Sequence, residues 1–105
     1  MSSNSKGKGG EREIARIYRD NGFDAVRTPL SGGMRWKGDL IGVPGAHVEV
    51  KRCERAQIWD WIKQAEKDCE RGDIPAVHFR RNRSDWYVSV PLEAFIELLK
   101  KRDES

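Results

Sequence analysis

The chain has 105 residues and a formal net charge of +3, with 20 lysines and arginines against 17 aspartates and glutamates. This length predicts one compact domain with a single modest core, and the positive balance fits an anionic partner such as nucleic acid. No apolar run approaches a transmembrane span, no secretory signal opens the chain, and the cysteines and histidines lack zinc-ligand spacing, so we expect a cytoplasmic protein with no membrane partner.

The segment Met1–Gly10 is rich in serine, glycine and lysine, and we expect it to be a flexible basic tail. Lys6 and Lys8 in this tail either contact a phosphate backbone or are simply solvated. The remaining residues, 11–105, are expected to form the single domain.

Glu11–Asn21 is predicted to form the first helix, which Asn21 and Gly22 end. At about 100° per residue, its apolar residues fall on one stripe, namely Ile14, Ala15, Ile17 and Tyr18. Glu11 leans toward this stripe, Glu13 lies at its edge, and Arg12 lies on or near the solvent face. An inward-leaning acid at a helix start either interacts with the helix dipole or adds a carboxylate to an active site, and position alone favours the first role.

Phe23–Thr28 alternates weakly between apolar and polar residues and is predicted to be a short strand. The loop that follows, Pro29–Lys37, adds hydroxyl, cationic and aromatic groups to flexible glycines, at Ser31, Arg35, Trp36 and Lys37. Such a loop beside an acidic residue is suited to holding a nucleic-acid strand. The alternative is a solvated loop with Trp36 folded onto the core, and the position of the loop favours the binding role.

The stretch Gly38–Lys51, GDLIGVPGAHVEVK, organises the rest of the chain and is predicted to be a two-strand hairpin. Its first strand contains Leu40, Ile41 and Val43, and its second contains Val48 and Val50. The four residues 43–46 supply the turn, with proline and glycine where a chain reversal needs them.

Three charged residues interrupt this apolar hairpin: Asp39, Glu49 and Lys51. Because side chains alternate along a strand, Glu49 and Lys51 point to the same face. A carboxylate and an ammonium on a buried strand are costly unless they are paired or bind a ligand. With Asp39 from the neighbouring strand, two carboxylates converge beside one lysine, an arrangement that suits Mg²⁺ and a phosphate. The alternative is a surface salt bridge on an edge strand, which stabilises little.

The second half predicts a helix at Ile58–Arg71, strands at Ile74–Phe79 and Asp85–Val90, and a helix at Leu92–Lys101. Trp59 and Trp61 cannot both lie on the core stripe of the first of these helices. The final helix carries its own apolar stripe, at Leu92, Phe95, Ile96 and Leu99.

Arg80–Ser84, RRNRS, is predicted to be the turn between the last two strands. Its three cations, Arg80, Arg81 and Arg83, are either a clamp for phosphates or a charged sheet edge that resists aggregation.

The predicted order of helix, three strands, helix, two strands and helix, with its acids and lysine, resembles the PD-(D/E)XK nuclease superfamily. Within it, the chain resembles the archaeal-type Holliday junction resolvases and their phage relatives. The matching motifs are Lys6-Gly7, Glu11-Arg12-Glu13, Gly22-Phe23, Arg27, Ser31, Asp39-Leu40 and Glu49-Val50-Lys51. The second half, from Cys53 on, matches in pattern only.

This resemblance implies an α/β fold with a restriction-endonuclease-like core, a central mixed five-stranded sheet flanked by helices in the order αβββαββα. It implies a homodimeric endonuclease that resolves branched double-stranded DNA with Mg²⁺, for which Mn²⁺ substitutes. The metal would be held by Asp39, Glu49, the Val50 carbonyl and Glu11, and Lys51 would act on the attacking water or the phosphate.

In the enzyme that this resemblance implies, Ser31 and Arg27 would position the scissile phosphate, and Arg35 and Lys37 would contact the DNA backbone. Further DNA contacts are expected from the cations of the tail, the first helix and the basic turn, namely Lys6, Lys8, Arg12, Arg80, Arg81 and Arg83. Three alternatives stay open: a flap or nicking repair nuclease, a DNA-binding module without catalysis, and a small interaction protein whose charges are only solvated.

Overall fold

The computed structural model describes residues 3–29, 38–55 and 57–104, with side chains from residue 9 onward. The helices and strands are α1 (Ser3–Asp20), β1 (Val26–Arg27), β2 (Leu40–Ile41), β3 (Ala46–Arg52), α2 (Ile58–Asp68), β4 (Ile74–Arg80), β5 (Tyr87–Ser89) and α3 (Leu92–Glu104). This is the αβββαββα order that the sequence predicted, and the α/β class is confirmed.

The predicted single five-stranded sheet is wrong, because the described strands form two sheets. β1 pairs antiparallel with β2, while β3 pairs parallel with β4 and β4 pairs antiparallel with β5. The break falls between β2 and β3, where Asp39 donates its backbone N–H to the Val48 carbonyl at 2.7 Å. The next donor of β3, the N–H of Val50, is bound by the carboxylate of Asp39 at 2.7 Å. A side chain thus takes the place of a backbone acceptor, and no ladder forms between β2 and β3. The predicted pairing of these two strands in one hairpin is therefore wrong.

The two faces of the β3–β4 pair carry different partners. Val48 and Val50 face α1 and pack with Ile14, Ala15 and Leu40 in one core cluster. The intervening positions face α2, where Val77 of β4 packs with Trp61 and Ala65. Because strand side chains alternate, Glu49 and Lys51 lie on the face of the sheet that α2 covers.

Helix α1 begins earlier in the structure than the sequence predicted, at Ser3 and not at Glu11. Serine and glycine are weak helix formers, so nothing in Met1–Gly10 indicated a helix. The side chains of Lys6 and Lys8 lie outside the described part, and their DNA contacts stay predictions.

The two helices of the chain's second half differ in what they bury. On α2, Trp61 is buried and Trp59 is 73% exposed, which decides which tryptophan packs in the core. Helix α3 has no buried residue, and its predicted apolar stripe is exposed, from 40% at Ile96 to 71% at Leu92. Within the described ranges, no helix combines the length and apolarity that crossing a membrane requires.

A buried histidine connects α1 to β4. His78 Nδ1 lies 3.1 Å from the Ala76 carbonyl and must donate to it, so Nε2 accepts from the Tyr18 hydroxyl at 2.6 Å. Burial lowers the pKa of His78, and the hydrogen bonds to the backbone only partly oppose that shift. The imidazole is therefore neutral in the folded protein.

We expect this histidine to make the protein less stable in weak acid. The unfolded imidazole takes up a proton near pH 6.5, whereas the folded one resists protonation, so the free energy of unfolding falls as pH drops below 6.5. Urea denaturation at pH 7.5 and 5.5 measures this loss in wild type and in His78→Gln. The loss should be smaller in the variant, and an equal loss in both proteins would contradict the assignment.

Candidate active site

Asp39 lies at the junction of the two sheets. It directly precedes β2, and its carboxylate Oδ2 accepts the hydrogen bond from the Val50 N–H. The side chain is thereby directed along the unpaired edge of β3. Asp39 lies close to Glu49 because the residues that lead into β2 pass beside the edge of β3.

Glu49 lies in the middle of β3 and is only 6% exposed. His47, two residues earlier on the same strand face, is equally buried, and its Nε2 lies 2.8 Å from Glu49 Oε1. A buried carboxylate needs such a donor to offset its lost hydration. His47 therefore holds one oxygen of Glu49 in a defined position.

The two carboxylates of the site act on each other. Burial raises the pKa of Asp39 to about 6, and the negative charge of Glu49 adds to that rise. The Val50 N–H and the Lys51 ammonium oppose it. Two acids that repel each other, next to a lysine, form a site in which a divalent cation would relieve the repulsion.

The Val50 carbonyl is directed toward the same place. The Gly45 carbonyl and the Cys53 N–H bond to β4, so the odd positions of β3 point to that strand. The N–H and C=O of one strand residue point to the same edge. Because the Val50 N–H binds Asp39, its carbonyl also lies at the edge next to Asp39. Two carboxylates and a carbonyl are the hard oxygen donors that Mg²⁺ prefers, so the residues present fit a divalent metal.

The acid of the first helix is not part of a larger ligand cluster. In the described part of the chain, no group of three or more histidine, cysteine, aspartate or glutamate side chains has the spacing to hold a metal. Glu11 accepts a hydrogen bond from Arg27 Nε at 3.1 Å, and both side chains are partly exposed. The structure therefore pairs two predicted site residues with each other, and the role of Glu11 as a ligand stays a prediction.

The neighbouring acid, Glu13, has a larger set of partners than its predicted place at the edge of the stripe indicated. Its carboxylate accepts hydrogen bonds from Arg52 at 3.2 Å, from Arg80 at 3.1 Å and from the Trp86 indole at 2.9 Å. Arg80 also lies over the Trp86 ring, at 5.6 Å from its centroid. Of the three predicted phosphate contacts at the basic turn, Arg80 is thus already paired.

The other predicted DNA contacts divide into two groups. Arg12, Arg81 and Arg83 are exposed, as binding to a phosphate backbone requires. The predictions for Ser31, Arg35 and Lys37, together with Trp36, lie outside the described residues.

His47 is a site residue that the sequence analysis did not select. The available signal was its spacing, because a residue two positions before Glu49 must share its strand face. Nothing in the sequence indicated that this face would be dry enough to bury both side chains.

Comparisons with known proteins address the family to which the chain belongs. The model of one family, described as "Phage putative PDDEXK endonuclease", matches residues 2–105, nearly the whole chain. Comparisons with curated proteins and with solved structures gave no significant match. The resemblance to the PD-(D/E)XK superfamily is confirmed, and members of that superfamily generally use divalent metal ions.

Proposed function

The chain belongs to the phage PDDEXK endonuclease family, and from that premise we propose that it hydrolyses phosphodiester bonds in branched double-stranded DNA with Mg²⁺. The observation that carries the proposal is the convergence of Asp39 and Glu49 at the open edge of β3, beside Lys51. A solvated surface ion pair does not account for this arrangement, because Glu49 is almost fully buried.

The metal would be held by Asp39, Glu49 and the Val50 carbonyl. When bound, a divalent cation stabilises negative charge on the scissile phosphate and makes water more acidic. Lys51, on the same strand face as Glu49, orients or deprotonates the attacking water or neutralises the phosphate. His47 keeps Glu49 oriented toward the site throughout.

Glu11 and Arg27 form the outer part of the proposed site. Glu11 completes the metal site directly or through a water. Its ion pair with Arg27 keeps the Arg27 guanidinium near the phosphate. Ser31 positions the phosphate with Arg27, while Arg35 and Lys37 contact the DNA backbone. Cutting two opposed strands of a junction requires two sites, so a two-fold homodimer is the simplest assembly.

Cleavage of three DNA substrates in Mg²⁺ tests this function. A synthetic four-way junction, a flap and a linear duplex are incubated with wild type, with Glu49→Gln and with Glu93→Gln as a control on the exposed face of α3. We expect paired nicks in the junction, their rate reduced about 10³-fold by Glu49→Gln and unchanged by Glu93→Gln.

Each other outcome has a distinct meaning. If flaps or linear duplex were cut at a rate comparable to the junction, the protein would still be a nuclease, but without a preference for junctions. Binding of all three substrates without cutting, with Mg²⁺ or Mn²⁺, would replace the proposal with a DNA-binding module. If the protein showed no salt-dependent binding to DNA, we would conclude that it is a small interaction protein whose charges are only solvated.

A further inference from the structure

An aromatic cavity opens on the α2-facing side of the three-stranded sheet. It has a volume of about 420 Å³, and its lining includes Trp61, Phe79, Tyr87, Arg80, Arg81 and Ser84. A cavity of this size is within the range that holds small organic groups. The metal site and its proposed mechanism use none of the three aromatic residues.

The exposure of the three rings increases from the core to the solvent. Trp61 is buried, and its ring centroid lies 6.2 Å from that of Phe79. Phe79 is half-buried, and its centroid lies 6.4 Å from that of Tyr87, with an angle of 31° between the rings. Tyr87 is 62% exposed. Core packing accounts for the presence of Trp61 and Phe79. It does not account for an aromatic residue at position 87, because the Tyr87 side chain is mostly exposed to solvent.

The sheet register places this cavity beside the proposed catalytic lysine. Lys51 of β3 pairs with Phe79 of β4, and Phe79 pairs with Tyr87 of β5. Paired positions lie on the same face, and neighbouring strands are about 4.8 Å apart. Tyr87 therefore lies in one row with Lys51, roughly 10 Å away along the sheet.

The surroundings of the rings carry two arginines and one acid, Glu54, whose carboxylate accepts a hydrogen bond from the Asn82 N–H at 3.1 Å. Arg81 is exposed at the rim of the cavity, and Ser84 offers a hydroxyl there. Aromatic rings next to arginines are the combination with which proteins hold unpaired nucleotides, because every base presents a π-face and every nucleotide carries a phosphate.

We propose that this cavity binds an unpaired nucleobase of the DNA substrate, stacked on Tyr87 and Phe79, while the adjoining phosphate lies at Lys51. The inference rests on the proposed function, and it names the feature of the substrate that the site reads. A base in an intact duplex must first be unstacked and unpaired, which weakens binding relative to a base that is already free. The protein therefore favours DNA in which a base near the cut is already unpaired, as at a bulge, or lies at a branch point, where stacking is interrupted.

Binding without metal tests the cavity separately from cleavage. Two DNA duplexes are compared in EDTA, one with a single-nucleotide bulge that carries the fluorescent base 2-aminopurine and one fully paired. Tyr87→Phe keeps an aromatic face, and Tyr87→Leu keeps bulk and apolarity without one. Trp59→Ala is the control, because it removes another exposed aromatic side chain outside this cavity.

We expect Tyr87→Leu to weaken binding of the bulged DNA about 10-fold and to abolish the fluorescence change that accompanies stacking. Tyr87→Phe and Trp59→Ala should bind both DNAs as wild type does, and no variant should change binding of the paired duplex more than about twofold. Equal loss on both DNAs, no loss, or failure of wild type to bind the bulged DNA would overturn the proposal.

The two proposals fail separately. An active enzyme whose Tyr87→Leu variant binds bulged DNA normally would overturn the base site and keep the nuclease. A protein that shows the Tyr87 effect in EDTA, yet cuts no substrate in Mg²⁺, would keep the base site and overturn the nuclease.

Discussion

Asp39→Asn is expected to slow DNA cleavage by about 10³-fold or more while making the metal-free protein more stable. The loss of activity follows from removing one of the two carboxylates that hold the metal. The gain in stability follows from removing a negative charge that is partly buried beside Glu49. The amide of asparagine keeps an oxygen that accepts the hydrogen bond from the Val50 N–H, so the local backbone is retained.

The pKa of Asp39 determines the sign of the stability change. Burial and Glu49 raise this pKa from 3.8 to about 6 in the folded protein. The stability that the neutral carboxyl contributes is complete below pH 4 and is lost as pH rises through 6. At pH 7 the metal-free protein therefore carries a penalty, about 1 to 2 kcal/mol after allowing for solvent screening, and the asparagine variant does not.

Urea denaturation at pH 7, with and without Mg²⁺, measures both effects. Mg²⁺ should stabilise wild type by mass action and leave Asp39→Asn unchanged. Asp85→Asn is the control, because it removes an exposed carboxylate elsewhere. If Mg²⁺ stabilised Asp39→Asn as much as wild type, the metal would bind at another site.

Gly42→Ala is expected to destabilise the protein by about 3 kcal/mol, and Gly45→Ala by only about 1 kcal/mol. Both glycines have positive φ, +91° at Gly42 and +84° at Gly45, so both substitutions strain the backbone similarly. A Cβ at Gly45 would meet open space, whereas a Cβ at Gly42 would clash with the backbone carbonyl of Asp24. The difference between the variants therefore measures this close approach of two backbones.

The free energy of unfolding of each variant, from urea denaturation, tests this expectation. Gly42 follows β2, and the segment it touches precedes β1, so the contact joins the two strands at one end of the small sheet. The rate of DNA cleavage by Gly42→Ala should fall together with its stability, because Asp39 directly precedes β2 and depends on this sheet for its position. Equal destabilisation by both substitutions would show that only the φ angle matters.

Much of the site follows from local rules that the sequence obeys. The order of the elements was readable because apolar periods of two and of about 3.6 residues alternate along the chain. The turn before β3 is confirmed, with Ala46 N–H bound to the Val43 carbonyl at 3.3 Å and positive φ at Gly45. Glu49 and Lys51 had to share a face because alternation along a strand is a property of the backbone.

The contacts between distant segments required the tertiary structure. Alternation alone could not show that the Asp39 side chain would occupy the edge of β3 in place of a β2 partner, or that Glu11 would pair with Arg27. Glu13 has partners up to 73 residues away in the chain, and the row from Lys51 to Tyr87 exists only through strand register. Periodicity determines which face of an element a residue occupies, but only packing and register between elements determine what that face meets.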